Sequence, residues 1–259
     1  MGRPLEGKRI LVTRAAGQAE TFSREIKERG GEPIEVPVIA FRPPEDYTEI
    51  KKVLGRLGEY RWVIFTSANG VRFFFEALGK AGLKFPEGSR VAAVGKKTWR
   101  ILREFDVKVD VIPNEFIAED LLKQLAAEVQ HGDMILMPRG NLARSKLPDG
   151  LVELGAVVED LTIYRTVMNW TYREKLLALL VSGQVDIVTF TSSSTVDNFF
   201  KLLEGANEKE FLHHVKFACI GPVTAKTARK YSIKPDIMPG EYSISGLLDA
   251  MERYYSKNV

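Results

Sequence analysis

The chain has 259 residues, 45% of them apolar and 27% charged, which is typical of a globular protein and allows two domains of roughly 120 residues each. Its net charge of +3 is too small to favour nucleic acid as a partner, and no apolar run approaches the roughly 18 residues that span a bilayer. The lone Cys219 cannot form an internal disulfide, and the N-terminus lacks a secretory pattern, so we expect a cytoplasmic protein.

Short apolar runs rich in Val and Ile are predicted to be buried strands, with helical periods between them. In chain order they are 8–13, 33–37, 61–65, 90–94, 109–112, 133–137, 157–161, 186–190, 216–220 and 235–238. Alternation of strands and helices predicts parallel sheets with helices on both faces. Because one sheet of all these strands would be very wide, we predict two similar flavodoxin-like lobes, each with a five-stranded parallel sheet.

The second half of the chain repeats the first at an offset of 125 or 126 residues. Four pairs of segments share this offset: ILVTR and ILMPR at 10–14 and 135–139, FTSANG and FTSSST at 65–70 and 190–195, VAAVGKKT and FACIGPVT at 91–98 and 217–224, and VDVIPNEF and PDIMPGEY at 109–116 and 235–242. The period is too long for a solenoid, so it indicates a duplicated, domain-sized unit. We expect the two copies to face each other across a cleft.

Two segments with bulky residues, 36–44 and 161–170, occupy similar places in the two repeats and are predicted to be extended linkers. If both connect the lobes, the first domain is discontinuous and comprises 1–38 and 168–259, while the second is 42–163. A single cut near residue 132 is the alternative, but it leaves both segments unexplained. We therefore predict two lobes joined by a two-segment linker.

Polar turns follow the predicted strands in both lobes. Ligands of open parallel sheets bind at this carboxyl edge, where helix N-termini present unpaired N–H groups. One such turn is more often a helix cap than a ligand site, but both lobes carry the same set, and with the arginines it suits a ligand with several carboxylates or phosphates. The candidate substrate-binding residues are Arg14, Ser67, Ala68, Asn69, Thr98, Arg139, Asn141, Arg144, Ser192, Ser193, Ser194, Gly221 and Thr224.

Other chemistries have little support. No GxxxxGK[ST] loop occurs, no GxGxxG follows a strand, and three histidines with one cysteine make a structural zinc site implausible, so we expect neither a metal nor another cofactor. A non-catalytic two-lobe binding or sensor module for a polyanionic small molecule is the main alternative to an enzyme. An enzyme that binds a sugar phosphate or nucleotide is a weaker third hypothesis.

The chain also carries FTSANGV at 65–71, PRGNLAR at 138–144, DLTIYRT at 160–166 and IGPVTAKTA at 220–228. Together these motifs, spread over essentially the whole chain, resemble the uroporphyrinogen-III synthase family. The resemblance implies a lyase of porphyrin and haem biosynthesis that cyclises the linear tetrapyrrole hydroxymethylbilane to uroporphyrinogen III. The reaction loses water and inverts ring D through a spiro intermediate.

The resemblance further implies that Tyr164 takes part in catalysis, either as a proton donor or as an aromatic clamp. We expect a monomer whose partner is its small-molecule substrate, with neither nucleic acid nor membrane. A transient handover of the substrate from hydroxymethylbilane synthase would fit this role.

Overall fold

The computed structural model describes residues 3–113 and 117–256, apart from the side chains of residues 208 and 209. The strands are β1 (Arg9–Val12), β2 (Glu32–Glu35), β3 (Ile39–Arg42), β4 (Trp62–Phe65), β5 (Arg90–Ala93), β6 (Met134–Gly140), β7 (Val157–Met168), β8 (Ile187–Phe190) and β9 (Lys216–Cys219). The helices are α1 (Ala16–Glu28), α2 (Thr48–Gly55), α3 (Ala68–Ala81), α4 (Lys96–Glu104), α5 (Ala118–Leu125), α6 (Lys146–Glu153), α7 (Arg173–Val181), α8 (Ser193–Leu203), α9 (Glu208–Leu212), α10 (Pro222–Lys230) and α11 (Ile244–Ser256). Short 3-10 turns lie at Leu57–Glu59 and Trp170–Tyr172.

Backbone contacts divide the chain into two compact units. The first unit contains the residues up to Ala40 and those from Val167 onward, and the second unit is Phe41–Thr166. The chain passes from one unit to the other inside β3 and again inside β7. The segments predicted as linkers therefore belong largely to these two strands, which are hydrogen-bonded neighbours in one sheet.

In the described part of the chain, the sheet of the first unit has four strands in the order β2-β1-β8-β9, and each neighbouring pair is parallel. The predicted fifth strand at 235–238 forms only an isolated bridge between Ala218 and Ile237. The prediction of five strands is therefore wrong for this sheet. The reason is local, since Pro235 has no N–H to donate and the Asp236 carboxylate accepts the Phe217 N–H at 2.9 Å.

The sheet of the second unit has five strands in the order β3-β7-β6-β4-β5, as far as the described residues show. The number agrees with the prediction but the membership does not, because β3 is the fifth strand, beside β7, whereas 109–112 lies next to β5 at the opposite edge. That segment forms one bridge, between Ala92 and Val111, and the Asp110 carboxylate accepts the Val91 N–H at 2.8 Å. The end of the predicted repeat segment at 109–116, residues 114–116, lies outside the described residues.

Helices cover both faces of each sheet, because successive side chains of a strand point to opposite faces. On β1, Leu11 packs in a cluster with α7, α8 and α10, whereas Ile10 packs in a cluster with α1 and α11. On β4, Val63 packs with α2, α3 and α4, and Ile64 packs with α5 and α6. The predicted α/β fold with parallel sheets is confirmed. No helix among the described residues is both long and apolar enough to cross a membrane.

Candidate active site

A cavity of about 460 Å³ lies at the carboxyl edge of the sheet in the second unit. Its walls are the turns that follow β4 and β6, the first residues of α5 and α6, and the part of β7 that continues past the turn. Four of the residues predicted from the sequence line it, namely Ser67, Arg139, Arg144 and Tyr164. The cavity therefore brings the predicted catalytic residue together with three predicted binding residues.

Tyr164 is held in place on several sides. A bulge shifts the β6–β7 register after the Arg139–Thr162 pair, so that Gly140 pairs with Tyr164. The ring stacks on Phe73 at a centroid distance of 5.4 Å, and the edge contact with Phe41 is 5.6 Å. A Cβ on Gly140 would lie 2.5 Å from Tyr164 Cζ, so only glycine fits beside the phenol.

The turn after β4 supplies a hydroxyl and two backbone donors. Ser67 is the N-cap of α3, and its Oγ accepts the Gly70 N–H at 3.0 Å. The same Oγ lies 3.3 Å from the Tyr164 hydroxyl, which makes Ser67 a hydrogen-bond partner of the phenol. Ala68 and Asn69 form the first turn of the helix, where backbone N–H groups have no acceptor inside the helix.

Arg139 lines the cavity but its donors are used inside the protein. Its Nε donates to Asp160 at 2.7 Å, a second nitrogen pairs with the other Asp160 oxygen, and Nη1 donates to the Arg144 carbonyl at 2.6 Å. With only 6% of its side chain exposed, Arg139 braces the cavity wall instead of offering a free guanidinium. We therefore revise its predicted role as a substrate ligand.

Three other predicted residues also have structural partners or are enclosed. The Asn141 side-chain oxygen accepts the Thr166 N–H at 2.8 Å and so extends the pairing of β6 with β7. Thr98 and Thr224 are buried, with 3% and 4% of their surface exposed. Each is the third residue of its helix, on a side that packs against the protein. These two side chains are therefore enclosed by the protein, and their contact with a ligand stays a prediction.

The carboxyl edge of the first unit carries the repeated turns. Ser192 caps α8 in a capping box, in which its Oγ accepts the Thr195 N–H and Thr195 Oγ1 accepts the Ser192 N–H, each at 3.3 Å. Ser193 and Ser194 form the first turn of α8, and Gly221 is the N-cap of α10. This edge thus presents first-turn N–H groups on two helices.

Arg14 follows β1 at the same edge. Its Nε is buried without a hydrogen-bond partner, and one terminal nitrogen donates to the Gln18 side chain at 3.2 Å. Burial lowers the pKa of the guanidinium below its ordinary value, and no carboxylate among the described residues offsets this loss of hydration.

Sequence reasoning missed several residues of the cavity in the second unit. Lys146 donates to Glu119 at 2.6 Å at the cavity wall, and this contact holds the pKa of Glu119 below its usual range. Ile117 and Leu142 add exposed apolar surface. Lys146 follows the GNLAR motif by two residues, which could have suggested it. The start of α5 carries no comparable signal.

The fold and these edges define an α/β protein with parallel sheets whose polar turns suit a polyanionic ligand. A family model described as uroporphyrinogen-III synthase HemD matches residues 20–249. A uroporphyrinogen-III synthase of Synechococcus elongatus is 31% identical over 257 residues, which are 97% of each chain. Another, of Chlorobaculum parvum, is 32% identical over 90% of this chain and 93% of its own.

Solved structures show the same fold. The uroporphyrinogen-III synthetase of Helicobacter pylori has a TM-score of 0.61 at 17% identity and covers 94% of this chain and 97% of its own. A mutant uroporphyrinogen III synthase of Thermus thermophilus has a TM-score of 0.59 at 24% identity, with 97% and 100% covered. The chain belongs to the uroporphyrinogen-III synthase family, and the resemblance seen in its motifs is confirmed.

Proposed function

We propose that the protein acts as a uroporphyrinogen-III synthase, cyclising hydroxymethylbilane to uroporphyrinogen III with loss of water. The observation that carries this proposal is the Tyr164 phenol, fixed in a cavity beside Ser67, in a chain that belongs to this family. The cavity also has exposed apolar residues, Ile117 and Leu142, which suit the faces of pyrrole rings. An enzyme thus accounts for these features better than a simple anion-binding module does.

Substrate binding rests on the polar turns. The bilane carries carboxylate side chains along its length. The first-turn N–H groups at Ala68, Asn69, Ser193 and Ser194 can donate hydrogen bonds to them. Recognition spread over many backbone donors needs no single dominant salt bridge. In the second unit, Arg144 adds a guanidinium in the cavity wall.

Tyr164 serves as the acid that assists departure of the hydroxyl. Its phenol proton passes to the leaving oxygen, the C–O bond breaks and water leaves, which produces an electrophilic azafulvenium-type carbon. The phenolate that remains accepts a hydrogen bond from the Ser67 hydroxyl across the 3.3 Å contact. Attack by the substituted carbon of ring D on the azafulvenium-type carbon gives the spiro intermediate. The bond between ring D and its bridging methylene then breaks, and the methylene bonds to the unsubstituted α-carbon of ring D. The proton on that carbon passes to the phenolate, which restores the pyrrole and the phenol.

Because the bilane also closes without an enzyme to the uninverted isomer, positioning decides the product. The rigid packing of Tyr164 between Phe73 and Phe41 holds the leaving group at a fixed place, and a fixed geometry lowers the barrier for one route over another. No strong acid, base or cofactor is needed for this selection.

The test is incubation of the purified chain with freshly generated hydroxymethylbilane, followed by oxidation and separation of the porphyrin isomers. We expect isomer III with the protein and isomer I in the control without protein. Isomer I alone, formed at the uncatalysed rate in the presence of folded protein, would contradict the proposal.

We also propose a domain organisation that follows the prediction from the sequence. We infer that the two units are the predicted domains, 1–38 with 168–259 and 42–163, and that each is a flavodoxin-like lobe. The enzyme is proposed to act as a cytoplasmic monomer that can receive its substrate from hydroxymethylbilane synthase. Size-exclusion chromatography with light scattering tests the monomeric state.

A further inference from the structure

The repeat places one arginine at the same point of each unit. Parallel pairing aligns Val12 with Glu35 on β1 and β2, and Met137 with Asp160 on β6 and β7. Each residue of the second pair lies 125 positions after its counterpart in the first. Arg14 and Arg139 each follow the aligned residue by two positions, so the two arginines start from equivalent backbone positions beside equivalent acids.

In the second unit the arginine and the acid at these positions pair with each other. Asp160 receives two nitrogens of Arg139, and the Arg144 carbonyl accepts from a third. A guanidinium engaged in this way has little left to offer a ligand. Arg139 instead connects β7, through Asp160, to the loop that carries Arg144. These two contacts lie on either side of the bulge that sets the position of Tyr164.

In the first unit the equivalent acid has another partner. The Glu35 carboxylate accepts the Ser23 hydroxyl of α1 at 2.5 Å, and the structure contains no ion pair between Arg14 and Glu35, both of which it describes. Arg14 keeps a buried Nε without an acceptor and a single long contact to the neutral Gln18. The guanidinium is therefore desolvated on its inner side and carries a positive charge that no side chain in the described part of the chain neutralises.

We propose that Arg14 is the carboxylate-binding side chain of the first unit, whereas its repeat equivalent Arg139 is a positioning residue for the Tyr164 cavity. A carboxylate reaches Arg14 at its outer nitrogens, where the contact to Gln18 is exposed. Partial burial strengthens such a charge-assisted pair relative to one in open water. The α1 helix beside it has no side-chain cap and no acid in its first turn, so nothing there repels an anion.

This inference rests on the proposed function, because the carboxylate is taken to be a side chain of the linear tetrapyrrole. A direct test uses mellitate, a benzene ring with a carboxylate on every carbon, which cannot react. Nitrogen-15 NMR spectra of the arginine Nε–Hε groups are recorded during the titration, and the Arg14→Lys variant assigns the Arg14 signal by its loss. We expect mellitate to shift the Arg14 signal and to leave the Arg139 signal in place.

The kinetic arm compares matched substitutions with hydroxymethylbilane as substrate. Arg14→Gln removes the charge, so KM should rise about tenfold or more with kcat nearly unchanged, and Arg14→Lys should recover part of the loss. Arg139→Lys keeps a charge but loses the paired nitrogens, so we expect kcat to fall more than KM rises. Circular dichroism verifies that each variant is folded.

The outcomes separate this inference from the proposed function. An Arg14 signal that mellitate leaves unmoved, or that chloride at equal ionic strength moves as far, overturns the assignment of Arg14. An unchanged KM for Arg14→Gln does the same, even when the wild type makes isomer III. Conversely, a mellitate shift in a protein that makes no isomer III supports Arg14 as a carboxylate site and contradicts the enzymatic proposal.

Discussion

The two units repeat one backbone plan but place different chemistry on it. In the second unit, Tyr164 lies against Gly140, whereas the residues 125 positions earlier are Ile39 and Ala15. A Cβ is tolerated at residue 15 because the first unit has no phenol at the equivalent position. The two units thus share one strand register but differ in the groups at its carboxyl edge. One unit has the phenol, and the other has a guanidinium without a carboxylate partner among the described residues.

The equivalent N-caps differ in a related way. Ser192 is engaged by Thr195 in a capping box and also lies 3.0 Å from the Ser194 hydroxyl. Ser67 meets Gly70 at the place of Thr195, so no side chain competes for its hydroxyl, which reaches Tyr164 instead. The glycine is required independently, since a Cβ on Gly70 would lie 2.7 Å from the Pro138 carbonyl oxygen.

The largest effect is expected from Tyr164→Phe, which removes a proton donor at a position where the first unit has Ile39. Turnover should fall by about 10²-fold, the low end for a lost general acid, because water or a substrate carboxylate can replace the phenol. The remaining product should still be mainly isomer III, as the ring contacts with Phe73 and Phe41 persist. Steady-state rates and isomer analysis measure both quantities.

Tyr47→Phe is the matched control, because Tyr47 is also partly buried against the same hydrophobic cluster. It should leave turnover within about a factor of two of the wild type. If Tyr164→Phe behaves like this control while Tyr164→Ala loses both rate and isomer selectivity, Tyr164 acts by shape and not as an acid.

Gly140→Ala is expected to have the next largest effect. The new methyl group would overlap the phenol, at 2.5 Å from Tyr164 Cζ, so the ring must move away from Ser67. A displacement of this kind can cost about tenfold to a hundredfold in kcat without removing any reacting group. Ala15→Gly, at the equivalent position of the first unit, should leave kcat almost unchanged. Equal losses of kcat in the two variants would show that the contact between Gly140 and Tyr164, which only the second unit has at this position, is unimportant.

Much of the fold could be predicted because its signals are local or repeated. Buried apolar runs located all the strands except β3, and the 125-residue offset correctly related the turns after β4 and β8. The motif containing Tyr164 suggested this residue as catalytic, and the structure places it in one cavity with Ser67. The strand at 39–42 was missed because its residues were interpreted as a linker, and only pairing with β7 identifies it as a strand.

The use of individual side chains could not be predicted, since it depends on competition between partners distant in sequence. Asp160 pairs with an arginine, whereas Glu35, at the equivalent position, accepts a serine hydroxyl. Both pairings are compatible with the same strand register. The failure of 109–112 and 235–238 to form full strands has a similar origin. In both, an aspartate side chain accepts an N–H from the neighbouring strand.

Arg139→Gln should destabilise the protein by about 2 kcal/mol, because it breaks a largely buried pair and frees the Arg144 carbonyl. The value lies below that of a fully buried pair since 44% of the Asp160 side chain is exposed, which lets water solvate the remaining carboxylate. Urea denaturation measures the difference. Lys80→Gln, which breaks the exposed pair with Glu76, is the control and should cost measurably less.

The smallest effect is expected from Arg14→Gln on stability, and it is the sharpest test of the comparison. Removing a buried donor that has no acceptor takes away a desolvation penalty, while glutamine retains the first two methylene groups and so most of the packing near the backbone. The two changes nearly cancel, so the free energy of unfolding should stay within about 0.5 kcal/mol of the wild type or rise slightly. Urea denaturation measures this alongside Arg139→Gln, with equal m-values required for the comparison. A loss as large as that of Arg139→Gln would mean that Arg14 has an internal partner in solution, and the two units would then use their arginines alike.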